Sequence, residues 1–313
     1  MYRFSIGTFT MAFSSLYSAV CRGKWFLRFQ DVDANIPLVE KLLERSMSAE
    51  DSSTLSERKP LAYTYYHKGA KSKSGNRFAD APKGSSAIIP VHGTLLKYGT
   101  MCSYGTTEYA DMVREAVDSN NISSVILDID SGGGSVDAIA PMLDAISYAR
   151  TSGKSVVAYC DLCASAAYYI ACYCDEIIAS NEVSSEFGSI GVMMSFMDYA
   201  KYYENAGVKL HTVYSNLSDY KNLPFELAKK GEYDKIRDEE LDPLAKDFQE
   251  AVKSHRTNLK VDTEGILRGR MFYARRAVEV GLADSVGSLA FAVQRAEQIN
   301  TQAIVNEYIH SKS

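Results

Sequence analysis

The sequence has no surplus of positive charge and, after its first residues, no long apolar run. Its 313 residues include 34 basic and 39 acidic side chains, which gives a formal net charge of −5. This balance provides no general attraction to nucleic acid or anionic lipid, so we expect neither as a partner. A membrane span needs about 20 consecutive apolar residues, and we expect none beyond the N-terminus. The composition, with 46% hydrophobic and 23% charged residues, is that of a globular protein with a large core.

The N-terminus allows two interpretations. Residues 6–20 follow Arg3 and faintly resemble a secretory signal, and residues 18–21 faintly resemble a lipid-attachment box. Serine and threonine interrupt this stretch, and Val20 is bulky for a residue just before a cleavage point. We therefore favour an amphipathic helix over an export signal.

The cysteine pattern is weak evidence for a metal site. Four of the six cysteines have a spacing that formally permits zinc binding. Buried, reduced thiols that act as small apolar residues are the simpler interpretation, and reduced thiols are typical of the cytoplasm. We expect no metal and no other cofactor. The four residues are Cys160, Cys163, Cys172 and Cys174.

Four regions are predicted along the chain. Residues 1–48 have apolar side chains at helical spacing and are predicted to form a helical N-terminal extension. Residues 49–85 are rich in Ser, Lys, Ala and Gly, which favours a linker or mobile arm in which only the tyrosine-rich segment 63–66 is suited to docking. Strand and helix patterns alternate over residues 86–298, and residues 299–313 are predicted to be a C-terminal tail.

The alternating region predicts an α/β fold. Repeated βαβ units of this kind form a mostly parallel sheet covered by helices. Strands are predicted at residues 87–91, 125–129, 176–179 and 208–214, near Val156, and in the short piece 188–192.

Two turns in this region are predicted to contain the catalytic groups. Residues 131–135, Ser-Gly-Gly-Gly-Ser, follow an apolar strand and offer bare backbone amides. Ser165 follows the next apolar strand and stands at a helix start, between small residues. Backbone N–H groups that can bind an oxyanion, placed beside a serine hydroxyl, are the groups that catalyse acyl transfer. A phosphate cradle is the alternative for the glycines, but no Gly-Lys-Ser/Thr follows them.

A serine nucleophile needs a base, and the sequence offers no clear histidine. His92 is expected at a strand end, where it caps a turn or lines a cleft, and His211 is expected partly buried within a strand. A lysine can serve if burial suppresses its charge, although lowering its pKa from ~10.4 to ~7–8 costs about 4 kcal/mol. Lys221 is the candidate because aromatic and apolar residues flank it in segment 220–225.

From residue 85 to residue 298 the chain resembles the signal peptide peptidase A family of Ser-Lys proteases, relatives of the Clp protease and crotonase fold. The resemblance implies a ClpP/crotonase-like fold. The chain has Ala166-Ala167 where the family often has two glycines, and Gly132 where proline is frequent. The matching segments occur in the family's order: 88–95, 127–136, 163–171, 175–179, 188–192, 220–221 and 269–284.

The resemblance implies a role for each candidate. Ser165 attacks a peptide carbonyl, and Lys221 accepts and returns the proton. Ser189 hydrogen-bonds the lysine, with a purely structural hydroxyl as the alternative. Two backbone amides bind the oxyanion, those of Gly133 and Ala166, with Gly134 as the neighbouring choice for the first.

The resemblance also suggests a biological setting. Family members without a membrane anchor include phage and prophage capsid proteases, which clip scaffold and their own chains during head maturation. We predict such a maturation protease, acting on a peptide or protein substrate (capsid scaffold or its own chain) in the bacterial cytoplasm or within a procapsid. A signal-peptide-degrading peptidase of the envelope and a catalytically silent capsid scaffold are the alternatives. The resemblance implies a homo-oligomer, in which neighbouring subunits complete each cleft.

Overall fold

The structure is a computed structural model that describes residues 25–27, 62–65, 71–72, 78–99, 103–196, 198, 200–209 and 211–310. The predicted α/β fold with a mostly parallel, helix-covered sheet is confirmed. The strands are β1 (Trp25–Leu27), β2 (Tyr63–Tyr65), β3 (Lys71–Ser72), β4 (Ser85–His92), β5 (Ile122–Ser131), β6 (Gly133–Ser135), β7 (Ser155–Ala164), β8 (Glu176–Ala179), β9 (Glu186–Gly188), β10 (Met271–Tyr273) and β11 (Ser285–Val286).

Helices connect and cover these strands. A 3-10 turn (Val136–Ala138) precedes α2, and a π-helical segment (Arg237–Leu241) joins α6 to α7. None of the helices in the described ranges is long and apolar enough to cross a membrane. The helices are α1 (Thr106–Asp118), α2 (Ile139–Thr151), α3 (Ala166–Cys172), α4 (Ala200–Asn205), α5 (Leu223–Ala228), α6 (Asp234–Ile236), α7 (Asp242–His255), α8 (Ala274–Val280) and α9 (Leu289–His310).

The main sheet runs in the order β10-β9-β7-β5-β4-β2-β3. Strands β4, β5, β7 and β9 pair in parallel, whereas β2, β3 and β10 add antiparallel edges. Strand β7 pairs first with β8, through Val157–Cys160, and then with β9, through Leu162–Ala164. The carboxyl ends of β5 and β7 therefore lie side by side, which brings the turns that follow them together.

Both faces of the sheet are buried, as expected for parallel strands. Because side chains alternate along a strand, each of the central strands contributes to two cores. The larger core packs against the helices that include α1, α2 and α3. The smaller core packs against α9 and contains Ile88, Ile126, Val157, Ile178, Ala292, Val293 and Ala296.

The edges of the predicted regions differ from the structure. Within the stretch 1–48 that was expected to be helical, the described residues Trp25–Leu27 form a strand; the rest lies outside the described residues. In the expected arm, β2 pairs with β4, and Phe78 is buried. The expected tail begins inside α9, because no glycine or proline interrupts the helical sequence before His310.

Helix α9 is anchored beyond the predicted domain end by Asn300. Its Oδ1 accepts the Ser155 N–H at 2.8 Å, and its Nδ2 donates to the Ser123 carbonyl at 2.8 Å. One side chain thereby satisfies backbone groups next to two neighbouring strands, β5 and β7.

The predicted strand 208–214 is wrong for the described residues of that stretch. They are exposed and adopt no strand conformation. An alternating pattern needs a sheet edge to pair with, and the edge beside β9 is occupied by β10. His211 is consequently exposed, and the expectation of a partly buried strand residue is corrected.

Candidate active site

Ser165 occupies an unusual backbone conformation between β7 and α3. Its φ of 55° and ψ of −119° lie outside the regions that residues with a side chain normally adopt. The Ser165 N–H donates to the Gly188 carbonyl at 2.9 Å, and its carbonyl accepts the Tyr169 N–H at 2.9 Å. The strand before it, the helix after it and β9 beside it therefore hold the turn in place. Such a conformation costs about 1–3 kcal/mol and persists where the surroundings enforce it.

The Ser165 side chain is buried and without a hydrogen-bond partner. The residue is 1% exposed, and its Oγ contacts no donor or acceptor in the described part of the chain. A buried hydroxyl without a partner costs about 1–3 kcal/mol, so it calls for an explanation. A catalytic role is one of the explanations for such a group.

The glycine segment lies beside Ser165 because β5 pairs with β7. Ser131 is in register with Cys163, and each turn begins just beyond this pair. The Ser131 Oγ donates to the Gly93 carbonyl at 2.6 Å, and the Gly133 N–H donates to the Ser131 Oγ at 3.1 Å. Helix α3 also contacts β6. The amides and the serine that the sequence singled out are thus neighbours in the fold.

One edge of β6 is closed by Leu95. The Leu95 N–H donates to the Gly133 carbonyl at 2.8 Å, and the Ser135 N–H donates to the Leu95 carbonyl at 2.9 Å. A Cβ atom on Gly134 would lie 1.9 Å from the Leu95 carbonyl oxygen. Glycine is therefore required at position 134 for this close approach.

The other edge of β6 pairs with β1. Trp25, Phe26 and Leu27 lie antiparallel to Ser135, Gly134 and Gly133, respectively. This strand was not predicted, since residues 25–27 lie within the stretch 1–48 that was expected to be helical.

The second flank of Ser165 is formed by Gly188 and Ser189. Gly188 has a φ of 132°, and Ser189, like Ser165, has a positive φ, of 54°. The Ser189 N–H donates to the Arg270 carbonyl at 3.2 Å. The register of β7 with β9, which pairs Ala164 with Gly188, places Ser189 beside Ser165. Ser189 is half-buried.

Lys221 lies in a turn that precedes α5. Its N–H donates to the Ser218 carbonyl at 3.1 Å. Lys221 is exposed, and the neighbouring Tyr220 is 67% exposed. The described part of a single chain therefore does not provide the apolar crevice expected around this lysine.

His92 ends β4 and is exposed. Its Nε2 lies 3.7 Å from Asp128 Oδ2, and this nearby carboxylate raises the pKa of the imidazole. This arrangement favours a structural pairing with Asp128 on the adjacent strand.

The four clustered cysteines are buried free thiols. Burial raises the pKa of Cys160, Cys172 and Cys174, which keeps these three protonated. Thiolate is the form that binds metal. Among the described residues, no group of His, Cys, Asp and Glu side chains is arranged to hold a metal ion.

The sequence pattern of Peptidase family S49 matches residues 148–303. The chain contains a peptidase family S49 domain. Ser165, Ser189 and Lys221 lie inside the matched range, and the glycine segment precedes it. This assignment agrees with the resemblance found in the sequence and with its predicted α/β fold.

Individual relatives of the S49 domain come from phage and from cells. The chain is 32% identical over 213 residues to the head-tail preconnector protein GP5 of Enterobacteria phage P21, covering 66% of this chain and 42% of that protein. It is 28% identical over 218 residues to Protease 4 of Haemophilus influenzae, covering 69% and 35%. The chain thus spans less than half the length of either relative.

Among solved structures, a substrate-peptide complex of a mutant 1510-N membrane-bound stomatin-specific protease is similar. The TM-score is 0.41 at 14% identity, and the match covers 69% of this chain and 80% of that one.

Two backbone features escaped the sequence-based predictions. The Arg270 carbonyl, which holds Ser189, belongs to a distant segment. The β1 strand lies before the S49 match. Gly188 and Gly191 both lie in the segment 188–192 on which the resemblance rests, but only the structure separates their roles.

Replacing Gly188 by alanine tests whether this flank holds the Ser165 turn. An alanine Cβ would lie 2.2 Å from the Arg270 carbonyl oxygen, at a φ that disfavours any side chain. We expect Gly188→Ala to lower the free energy of unfolding by about 1–3 kcal/mol. Gly191→Ala is the matched control, because a Cβ there meets no atom of the described residues within 4 Å; it should change stability by less than about 0.5 kcal/mol. Equal effects of the two variants in urea unfolding would contradict this account.

Proposed function

We propose that this chain is a serine peptidase that hydrolyses peptide bonds through an acyl-enzyme, with Ser165 as nucleophile and Lys221 as base. The observation that carries the proposal is the Ser165 turn. A buried hydroxyl without a partner is held in a strained conformation, beside glycine amides, within an S49 domain. Strained backbone of this kind clusters at active sites.

The proposed reaction uses groups of the chain alone. Ser165 Oγ bonds to the carbonyl carbon while the neutral Lys221 amine takes the hydroxyl proton. The tetrahedral intermediate collapses, the C–N bond breaks, and the lysine ammonium returns the proton to the leaving amine. Water then attacks the acyl-enzyme with the lysine again as base, which releases the acid and restores Ser165.

The oxyanion needs donors that are already in place, and each is worth about 10²–10³ in rate. We assign one donor to the Ala166 N–H, at the start of α3. The second comes from the glycine segment. The Gly133 N–H already donates to the Ser131 Oγ, so it would have to donate to the oxyanion and to this hydroxyl at once. The Gly134 N–H is the neighbouring candidate, because the bonds to Leu95 are made by Gly133 and Ser135. Ser189 is proposed to orient the lysine, because it follows Gly188, which is in register with Ala164 next to Ser165.

A lysine base needs a desolvated amine, and Lys221 is exposed in the described part of one chain. We therefore propose that a second copy of the chain covers this region. The segment before Lys221 has the composition of an interface, since large apolar side chains on it face solvent. These residues are Phe196, Tyr202, Tyr203, Val208, Val213, Tyr214, Leu217 and Tyr220.

The proposed setting is phage head maturation, in the cytoplasm of the bacterial host or within a procapsid. Similarity to a phage head-tail preconnector protein supports it. An envelope peptidase that degrades signal peptides stays the alternative, since a bacterial protein named Protease 4 is similar too. Genes for portal and major capsid proteins beside this one would favour head maturation. A cleaved export signal would favour the envelope peptidase. A silent scaffold would hydrolyse nothing under any assembly condition.

Activity measurements on single variants test the dyad. We expect Ser165→Ala and Lys221→Ala each to reduce casein hydrolysis or self-cleavage by about 10⁴-fold or more, because nucleophile and base act as a unit. Lys230→Ala is the matched control, since Lys230 is an exposed lysine on the next turn region and should retain full activity. Full activity in Lys221→Ala would reject the lysine assignment and leave Ser165 open to another base.

A charge within the exposed apolar segment tests the proposed interface. Leu217 is 94% exposed, and Leu217→Asp should weaken self-association at least about tenfold and reduce peptidase activity with it, because an apolar interface excludes an unpaired charge. Val183→Asp is the control, a residue 86% exposed in the loop between β8 and β9. Sedimentation and activity would be measured at the same concentrations. An unchanged assembly in Leu217→Asp would contradict this interface.

A further inference from the structure

We infer that Trp25–Leu27 is an internal occupant of the peptide-binding edge beside Ser165, and that an extended peptide must displace this strand to bind. The inference deepens the proposed function, on which it rests. Its core is one juxtaposition: a three-residue strand from the N-terminal region lies antiparallel on the glycine strand that adjoins the candidate nucleophile.

The pairing uses the only edge of β6 that Leu95 leaves open. The Gly133 carbonyl and the Ser135 N–H are bonded to Leu95. Because backbone groups alternate in direction along a strand, the N–H and carbonyl of Gly134 face the opposite edge. Phe26 is the residue in register with Gly134 on that edge.

This edge has the properties of a site for an extended peptide. Strand addition relies on main-chain hydrogen bonds to an exposed strand edge, and glycines let the incoming backbone approach closely. The edge also lies close to the candidate nucleophile, because β6 follows the Ser131–Cys163 pair and contacts the helix that begins after Ser165. A peptide paired with Gly134 would therefore pass beside the Ser165 turn.

The state of Ser165 fits an occupied edge. The residue is 1% exposed, so an external peptide carbonyl does not reach its hydroxyl in this conformation. Strand β1 forms a separate two-stranded sheet with β6 and is not part of the main sheet. Its release would leave the pairing of the main sheet intact.

An occupant in the same chain weakens peptide binding in a calculable way. The apparent dissociation constant rises by the inverse of the fraction of molecules with a free edge. If β1 occupies the edge in about nine molecules of ten, its release tightens binding about tenfold. Tethering to the same chain favours such occupancy even when the strand itself binds weakly.

The test measures binding in the Ser165→Ala protein, which keeps hydrolysis out of the readout. The probe is a fluorescein-labelled synthetic peptide of residues 22–30 in which phenylalanine replaces tryptophan. Phe26→Pro removes the N–H that faces Gly134, and we expect it to tighten probe binding at least about tenfold in fluorescence anisotropy. Phe26→Val keeps the N–H and should bind like the parent.

Tryptophan emission gives a second, independent readout. The chain has one tryptophan, Trp25, so its emission reports on β1 alone. Saturating the parent protein with the tryptophan-free, unlabelled form of the probe should shift its emission to that of Phe26→Pro. The same addition should leave the Phe26→Pro spectrum unchanged. If Phe26→Pro fails to fold, the response of the parent spectrum decides.

Two results would overturn the inference. One is equal probe affinity in the folded parent and Phe26→Pro proteins, and the other is probe binding to the parent with no change in Trp25 emission. Failure of the proposed function looks different, because it appears as unchanged hydrolysis in Ser165→Ala and leaves these binding measurements intact.

Discussion

Strand β7 changes partner half-way along one edge, from β8 to β9, and the geometry around Ser165 depends on this change. The second pairing ends in the hydrogen bond from the Ser165 N–H to the Gly188 carbonyl. That bond fixes a backbone conformation that a serine would not adopt alone. Gly188 must in turn be glycine, because Arg270 lies against it. A local strain at one residue is thus stabilised by a segment more than 100 positions away in sequence.

The two groups of the proposed dyad have opposite environments. Ser165 is buried where a substrate has to reach it, and Lys221 is exposed where a base has to be desolvated. In the proposed mechanism, each of these two environments changes when one surface packs against or separates from another. Release of β1 would open the peptide edge, and a second copy would cover the lysine. An enzyme assembled in this way would be inactive as a single closed chain.

Much of the core was predictable because its strands are apolar on both faces, and a parallel sheet then follows from the alternation with helices. The proximity of Ser165 to the glycine segment was also predictable, since each turn follows the carboxyl end of a neighbouring strand. The position of β1 was not, because a three-residue pairing leaves no periodic signal. The 208–214 pattern misled for a related reason: alternation indicates a strand only where an edge is free. The length of α9 was underestimated, although the lack of glycine and proline up to His310 already favoured a longer helix.

The most direct measurement is to map the residue that a peptidyl acylating agent modifies. The protein would be treated with a peptidyl β-lactam, the reaction would be quenched in acid, and the modified residue would be located by mass spectrometry. The account predicts a covalent acyl group on Ser165 in the native protein and no modified residue in Ser165→Ala. An acyl group on another side chain, with Ser165 unmodified, would contradict it.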